Sequence, residues 1–423
     1  MPLIVQKYGG TSVADPDRMR AVAENVAFTR RHGNDVVVVV SAMGKATDNL
    51  IQLATQVSAT RPGREMDMLL TTGERVSAAL LTMALHDLGI DAVSFTGSQV
   101  GIITDTAHGK AKIVEVKGDR VRQALADGKV TVIAGFQGVS TAKEITTMGR
   151  GASDLTASAL ANALSADACE IYTDVTGVFS ADPRIVPQAR KLKRVSFDEM
   201  LEMAGAGSKV LALRSVEFAR NHGVALHVRS SFTWEPGTWV MNLDETDEPG
   251  SAAVEDPIIS GVVTDTTESK VTVLGVPDQP GVSAALFEPL AAANVNVDMI
   301  VQNTSTDGTT DISFTMPSAD MAVAEEIVRR VAGEIGATGV THDDDIAKVS
   351  LVGAGMKSSP GIAAKMFRTL ADKGVNIEMI STSTIRISVV MARDDLELAA
   401  RSLHTAFGLD SGADYAAPLP ERR

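Results

Sequence analysis

The last third of the chain carries one pattern twice. Val271-Thr272-Val273-Leu274-Gly275 leads to Pro280-Gly281, a helical stretch ending near Leu290, and then Asn294-Val295-Asn296-Val297-Asp298-Met299-Ile300. Val349-Ser350-Leu351-Val352-Gly353 leads to Pro360-Gly361, a helical stretch ending near Leu370, and then Gly374-Val375-Asn376-Ile377-Glu378-Met379-Ile380. Pro280/Pro360, Gly281/Gly361, Phe287/Phe367, Leu290/Leu370, Asn296/Asn376 and Met299/Met379 share one offset. Repetition on this scale is a duplication, and it confines the segment to two copies of one supersecondary unit. Each copy reads strand, loop, helix, strand, with a further strand near 311–315 or 385–391, a small α+β module of βαββαβ kind. The repeated Phe and Met positions read as core.

Upstream the pattern is different. Short β-branched runs at 3–6, 35–40, 130–134 and 168–173 are continuously apolar, as strands buried on both faces of a parallel sheet must be. Helical spacing at 15–30 and 74–88 lies between them. Strands alternating with helices predict a three-layer αβα sandwich with a largely parallel sheet, continuing to about residue 230. Residues 242–256 are acidic, poor in large apolar groups, and read as a linker. The division expected is a first domain at 1–245, a linker at 246–262, and modules at 263–340 and 341–423. A chain of 423 residues is long enough for several cores.

The net charge of −14 argues against nucleic acid or an anionic membrane as partner. An anionic small molecule would need a local cationic pocket. The one cysteine, Cys169, permits no internal disulfide and no thiolate metal cluster, and reads as a buried small residue in a reducing compartment. The N-terminus has no signal-peptide pattern, and no apolar run approaches the roughly 20 residues of a membrane span. The expected location is the cytoplasm.

Three constellations could carry chemistry. Lys7-Tyr8-Gly9-Gly10-Thr11-Ser12 follows the first strand; glycines admit a ligand to the backbone and Lys7 adds a cation, so phosphate binding and a plain Gly-rich turn both remain open. It is neither a Walker A loop nor a dinucleotide fingerprint. Gly149-Arg150-Gly151-Ala152-Ser153-Asp154 enters a helix, where an anion site is favoured and Arg150 could clamp a carboxylate; Ser153 and Asp154 could equally be helix caps. Thr173-Asp174-Val175 through Phe179, Asp182 and Arg184 follows a strand and could grip a nucleotide or form a capped loop. Lys209 is a further phosphate candidate. The seven histidines show no metal-ligand spacing and no nucleophile motif.

Taken in order with Ser41-Ala42-Met43-Gly44, Thr72-Gly73-Glu74-Arg75, Ser94-Phe95-Thr96-Gly97, Gly135-Phe136-Gln137-Gly138 and Ala181-Asp182-Pro183-Arg184, these segments resemble the aspartate kinase branch of the amino acid kinase family, in its actinobacterial form. The duplicated tail looks like that branch's paired ACT domains. The resemblance runs from residue 3 to about 410. It implies ATP-dependent phosphorylation of the β-carboxylate of L-aspartate, with ATP and Mg²⁺ required and amino acid feedback through the tail. Lys7 and Asp154 would be catalytic. Ser41, Thr47, Glu74, Arg150, Gly151 and Ser153 would bind aspartate, with Glu74 on its α-ammonium and Arg150 on its α-carboxylate. Lys7, Tyr8, Gly9, Gly10, Thr173, Asp174, Phe179, Asp182, Arg184 and Lys209 would bind ATP. No metal ligand is implied by name. The aspartate carboxylate is already ionised at neutral pH, so the chemistry needs charge neutralisation and no general base, in keeping with a site that offers Lys, Arg and Gly without His.

The resemblance also implies effector positions. Lysine is expected against Asn296, Val297, Asp298, Asn376 and Ile377; threonine is expected near Asp278, Ser283, Gln302, Ile362, Ala363, Ser383 and Thr384. Ala363 and Thr384 replace a common Thr and Glu, and the loop at 304–310 is short for the family, so a weakened or altered response to threonine is expected. Ala152 replaces a common Gly and Lys45 a common acid; both could tune the substrate. A homo-oligomer formed through the ACT domains is implied. A paralogue acting on another amino acid and an inactive sensor built on the same fold stand as competing readings.

Overall fold

The computed structural model describes residues 1–61, 63–243, 258–303, 308–356, 359 and 361–410. Residues 246–257 of the expected linker, 304–307 of the short loop and Pro360 of the repeat lie outside the described residues.

The apolar runs become strands at Leu3–Tyr8, Asp35–Val40, Val130–Ala134 and Ala168–Thr173. Each pairs in parallel with its neighbours, and all of Val36 to Val40 are buried. Such a run withdraws apolar side chains on both faces of the sheet, at about 1.5–3 kcal/mol for each fully buried valine. The full sheet has eight strands in the order 194–196, 238–241, 226–230, 168–173, 3–8, 35–40, 130–134, 92–95. Only the pair Leu226–Ser230 with Thr238–Met241 runs antiparallel. Helix Pro16–Arg31 starts where its sequence says it should: Asp15 caps it by accepting from the Arg18 amide at 2.9 Å, and proline opens its first turn. A separate four-stranded sheet of Ile113–Val116, Ile102–Thr104, Gln137–Ser140 and Ile145–Thr147 was not predicted. Its strands are three or four residues long, too short for a periodic signal. Among the described residues no helix is long and apolar enough to cross a membrane.

The first repeat is a complete βαββαβ unit, with its sheet ordered 300–302, 309–317, 268–277, 339–343. The second takes its fourth strand from elsewhere. Strand Ile258–Asp265 precedes the first module in the chain, yet it pairs antiparallel with Ile346–Ala354 and completes the second module's sheet. The position expected for a boundary, 262/263, therefore falls inside one continuous strand. The strand covers an edge that would otherwise expose unpaired backbone.

Pseudo-symmetric ion pairs cross between the modules. Lys348 of the second module lies 2.6 Å from Asp298 of the first, and Lys270 of the first is bonded to Glu378 of the second. The two are unequal. Lys348 has only 1% of its side chain exposed and also meets Glu268 at 2.6 Å and Asp265 at 4.0 Å. Burial alone would depress its ammonium, but Glu268 and Asp298 hold it above its ordinary value. Lys348→Met strands the nearly buried carboxylates of Glu268 and Asp265 and should cost about 3–5 kcal/mol. Lys270→Met, at a wetter pair, should cost about 1 kcal/mol or less. Thermal melting of the two variants checks this; equal small shifts would contradict it.

Candidate active site

The parallel strands end on one side, where crevices in sheets of this kind bind ligands. Lys7 stands at that end of Leu3–Tyr8. Its Nζ lies 2.7 Å from Asp154 Oδ1, and the two side chains are 11% and 9% exposed. Asp154 sits in the first turn of helix Ala152–Ala163, where its Oδ2 accepts from the Ala212 amide at 3.3 Å. Its Oδ1 takes no directed hydrogen bond among the described residues, so the contact with Lys7 is an ion pair that leaves ammonium protons for another anion. The helix cap is Gly151, at φ +73°, and neither Ser153 nor Asp154 caps it. That removes the capping alternative for both residues.

The glycine loop is shaped by close approach. A Cβ on Gly10 would stand 2.9 Å from Ala42 O, and one on Gly9 would stand 3.3 Å from Lys7 Nζ. The Gly9 amide is already engaged with Tyr172 O at 3.3 Å, whereas those of Gly10 and Thr11 have no partner among the described residues. These two are the amides that can face an anion. The Tyr8 ring is buried and stacked on Tyr172 at 4.6 Å, so only its main chain borders the loop.

On the neighbouring loop, Glu74 opens helix Thr72–Asp87 and is 4% exposed. Oε1 accepts from the Ala42 amide at 3.2 Å, and Oε2 is buried with no partner among the described residues. Burial raises this carboxyl to about 7. An orphaned carboxylate oxygen is costly, and a cationic ligand would relieve it. Ser41 and Thr47 are half-buried and flank the loop; Lys45 is exposed at the start of helix Ala46–Val57. Arg150 is exposed and makes no ion pair among the described residues. Ser153 is buried against Gly135, where a Cβ would come within 2.8 Å of its hydroxyl. Ala152 belongs to the main hydrophobic core, so its methyl group is accommodated in packing.

Beside the glycine loop lies a cavity of about 750 Å³. The hydrogen bond from Gly9 to Tyr172 joins the two, because Thr173 and Asp174 follow directly on the cavity wall. Thr173, Asp174, Phe179, Asp182, Arg184 and Lys209 all line it. Asp182 and Arg184 pair at 2.6 Å, and the Arg184 hydrogen bond holds the Asp182 carboxyl below its ordinary range. Val262 to Asp265, of the strand that completes the second module, and Thr266 just after it form part of the same wall. Cys169 is fully buried, and burial pushes its thiol up, as befits a core residue.

The expected effector positions divide into separate settings. In the first module Ser283 Oγ donates to Gln302 Oε1 at 3.0 Å, while Asp278, Asn296 and Asp298 are largely exposed and Val297 is half-buried. In the second, Ile362 is buried, Ala363 and Ile377 are half-buried, and Asn376 and Thr384 are exposed. Ser383 turns to the first domain, donating to Glu202 Oε1 at 2.8 Å beside Arg386, which pairs with Glu202 at 3.3 Å.

Several supporting residues were given no role by the sequence. Arg214 holds the Arg150 loop by donating to Met148 O at 2.6 Å and Ala111 O at 3.0 Å. Gln137 donates to Thr71 O at 3.1 Å and accepts from Arg75 at 3.3 Å, fixing the helix that bears Glu74. Buried Asp67 gathers Thr147, His108 and the Gly109 amide. Each bridges residues far apart in the chain, and only the tertiary fold reveals it.

Comparison with known proteins identifies the family. Residues 2–230 match the amino acid kinase family, and residues 270–336 and 349–407 each match an ACT domain. The chain is 55% identical to the aspartokinase of Corynebacterium glutamicum, with 98% of each chain covered. It is 56% identical to that of Mycolicibacterium smegmatis, with 97% of each covered. Among solved structures, Escherichia coli aspartokinase III in complex with lysine and aspartate superposes with a TM-score of 0.73 at 25% identity, covering 96% of this chain and 99% of that one. A glycine loop with a buried Lys–Asp pair, a cavity beside it and a duplicated tail thus stand in a chain that belongs to the amino acid kinase family, among the aspartokinases.

Proposed function

We propose that the protein transfers the γ-phosphoryl group of ATP to the β-carboxylate of L-aspartate, forming 4-phospho-L-aspartate, the first step towards lysine, threonine and methionine. The observation that carries this reading is the Lys7–Asp154 pair at the edge shared by the glycine loop and the cavity. The nucleotide occupies the cavity, with its phosphates towards Lys7 and the amides of Gly10 and Thr11. Glu74 receives the α-ammonium of aspartate and Arg150 its α-carboxylate. The β-carboxylate attacks the γ-phosphorus, the bond to the ADP oxygen breaks, and ADP leaves with that electron pair. Lys7 offsets the charge that builds when two anions meet.

Among the described residues no group of three or more His, Cys, Asp or Glu could cage a metal. The exposed carboxylate of Asp174 on the cavity wall fits a magnesium ion carried largely by the nucleotide's own oxygens and water. Bound there, the ion would supply further neutralisation of phosphate charge.

The reading extends to regulation and assembly. Lysine is the proposed effector, supported by Asp298 and Glu378 lying at the two inter-module ion pairs and by the lysine-bound relative. Thr384 offers no carboxylate to an effector's ammonium group, which supports a weaker response to threonine. A homo-oligomer through the ACT modules is supported by Ile300 and Ile380, which are exposed on strands at the margins of their sheets. A single unpaired buried cysteine fits a cytoplasmic location.

Trapping the product with hydroxylamine tests the central step: aspartate with MgATP should give aspartyl hydroxamate, and millimolar lysine should reduce its rate. No hydroxamate would sink the reading. A second test follows from Glu74. With its carboxyl raised to about 7, it is protonated and neutral at lower pH and cannot pair with an ammonium group. The KM for aspartate should therefore climb by about tenfold per pH unit below that value. Glu74→Gln should give a high KM that no longer varies with pH in this range. A flat wild-type profile would contradict the assignment.

A further inference from the structure

The loop that lines the cavity is anchored outside the catalytic domain. Residues 179–190 present Phe179, Asp182 and Arg184 to the cavity. The back of this segment packs elsewhere: Ala181 and Val186 are part of the second module's hydrophobic core, with Leu351, Met366 and Leu403. Polar contacts fix it there. Arg401 Nε donates to Ile185 O at 2.7 Å, Arg190 Nε donates to Leu409 O at 2.5 Å, and the Val262 amide donates to Ser180 O at 2.7 Å. At the centre, Ser180 Oγ stands 2.9 Å from His404 Nε2.

His404 lies on helix Leu396–Ala406 and is 0% exposed. Its other ring nitrogen, Nδ1, faces Asp410. Ser180 Oγ accepts the Arg190 amide at 2.9 Å, so its own proton is available to Nε2, and Nδ1–H is then directed at the carboxylate. A serine, a histidine and an aspartate in a row could suggest nucleophilic chemistry. Ser180 is fully buried and does not line the cavity, so no substrate reaches it. The row is a strut, and it ends one residue from Phe179 and two from Asp182.

We infer that His404, contributed by the second sensing module, is a positioning residue for nucleotide binding: through Ser180 it fixes the loop that carries Phe179, Asp182 and Arg184. The inference rests on the nucleotide reading of the cavity. Nucleotide affinity is thereby tied to the state of a module remote in sequence, through a contact spanning 224 residues.

Steady-state kinetics and calorimetry on the full chain test it. His404→Ala should raise the KM for ATP by about five- to twenty-fold, with kcat and the KM for aspartate within about twofold of the unaltered protein. Ser180→Ala, which also frees the Arg190 amide, should raise it at least as much, and the double variant should add little to Ser180→Ala, because both changes remove the same Ser180–His404 contact. His404→Gln, whose side-chain amide can still reach Ser180, should recover most of the ATP affinity. Unchanged MgATP affinity in both single variants, with normal binding by the unaltered chain, overturns this inference alone. So does a uniform loss of kcat, both KM values and melting temperature that His404→Gln does not restore. No MgATP binding by the unaltered chain overturns the nucleotide reading and this inference with it.

Discussion

In the proposed reaction the chemistry depends on one buried ion pair, Lys7 with Asp154. The pair is not there for stability, since desolvating two charges roughly cancels what their attraction returns. Its value lies in the ammonium group that it holds at the start of the glycine loop. The protein carries a net charge of −14 and must nevertheless bring an anionic nucleotide to an anionic amino acid. Two unit charges 4 Å apart repel by about 4 kcal/mol at the effective dielectric of a protein surface. A fixed ammonium group, two free amides and an arginine can offset a penalty of that size. A histidine base would contribute nothing, because the attacking carboxylate has no proton to lose.

The sheet holds the Lys7–Asp154 pair in place. Leu3–Tyr8 is clamped between two parallel neighbours, and the stacked rings of Tyr8 and Tyr172 lock that register on the face away from the ligand. Asp154 is placed by a helix whose start depends on Gly151, where a Cβ would collide with Ala212 at 2.5 Å. The sensing modules are built into this arrangement at two points. Strand Ile258–Asp265 is at once the last strand of the second module and a wall of the cavity. Glu202, on the helix that precedes Lys209, is held by Ser383 and Arg386. An effector that shifts the second module would therefore meet the proposed nucleotide cavity directly, without a long relay.

Much of this was legible because it is local. Five consecutive valines can only be a buried strand, and helical spacing over 15–30 marks the helix found at Pro16–Arg31. The repeat showed two modules because each copy needs the same core positions, Phe287/Phe367 and Met299/Met379. The site's charged residues were legible as types, but their neighbours were not. Glu74 was legible only through the family resemblance, as a partner for an α-ammonium group; its orphaned oxygen among the described residues is a property of packing. Tyr8 reads as part of a phosphate loop, yet strand alternation turns its ring into the core. Strand 258–265 was divided between linker and module because pairing with Ile346–Ala354 is a choice made across about ninety residues, which no local pattern records. Ser180 and His404 are farther apart still, and each alone is unremarkable.

Lys7 is where the phosphoryl-transfer chemistry can be tested most directly. Formation of acyl phosphate in a single turnover with saturating MgATP and aspartate, measured well below the variant's melting temperature, should fall by about 100- to 1,000-fold in Lys7→Met; the variant also binds nucleotide more weakly and melts lower, because Asp154 is left buried without its partner. A rate within about tenfold of the unaltered protein, a difference of only 1.4 kcal/mol in barrier, would show that the buried ion pair is structural and that the charge is neutralised elsewhere.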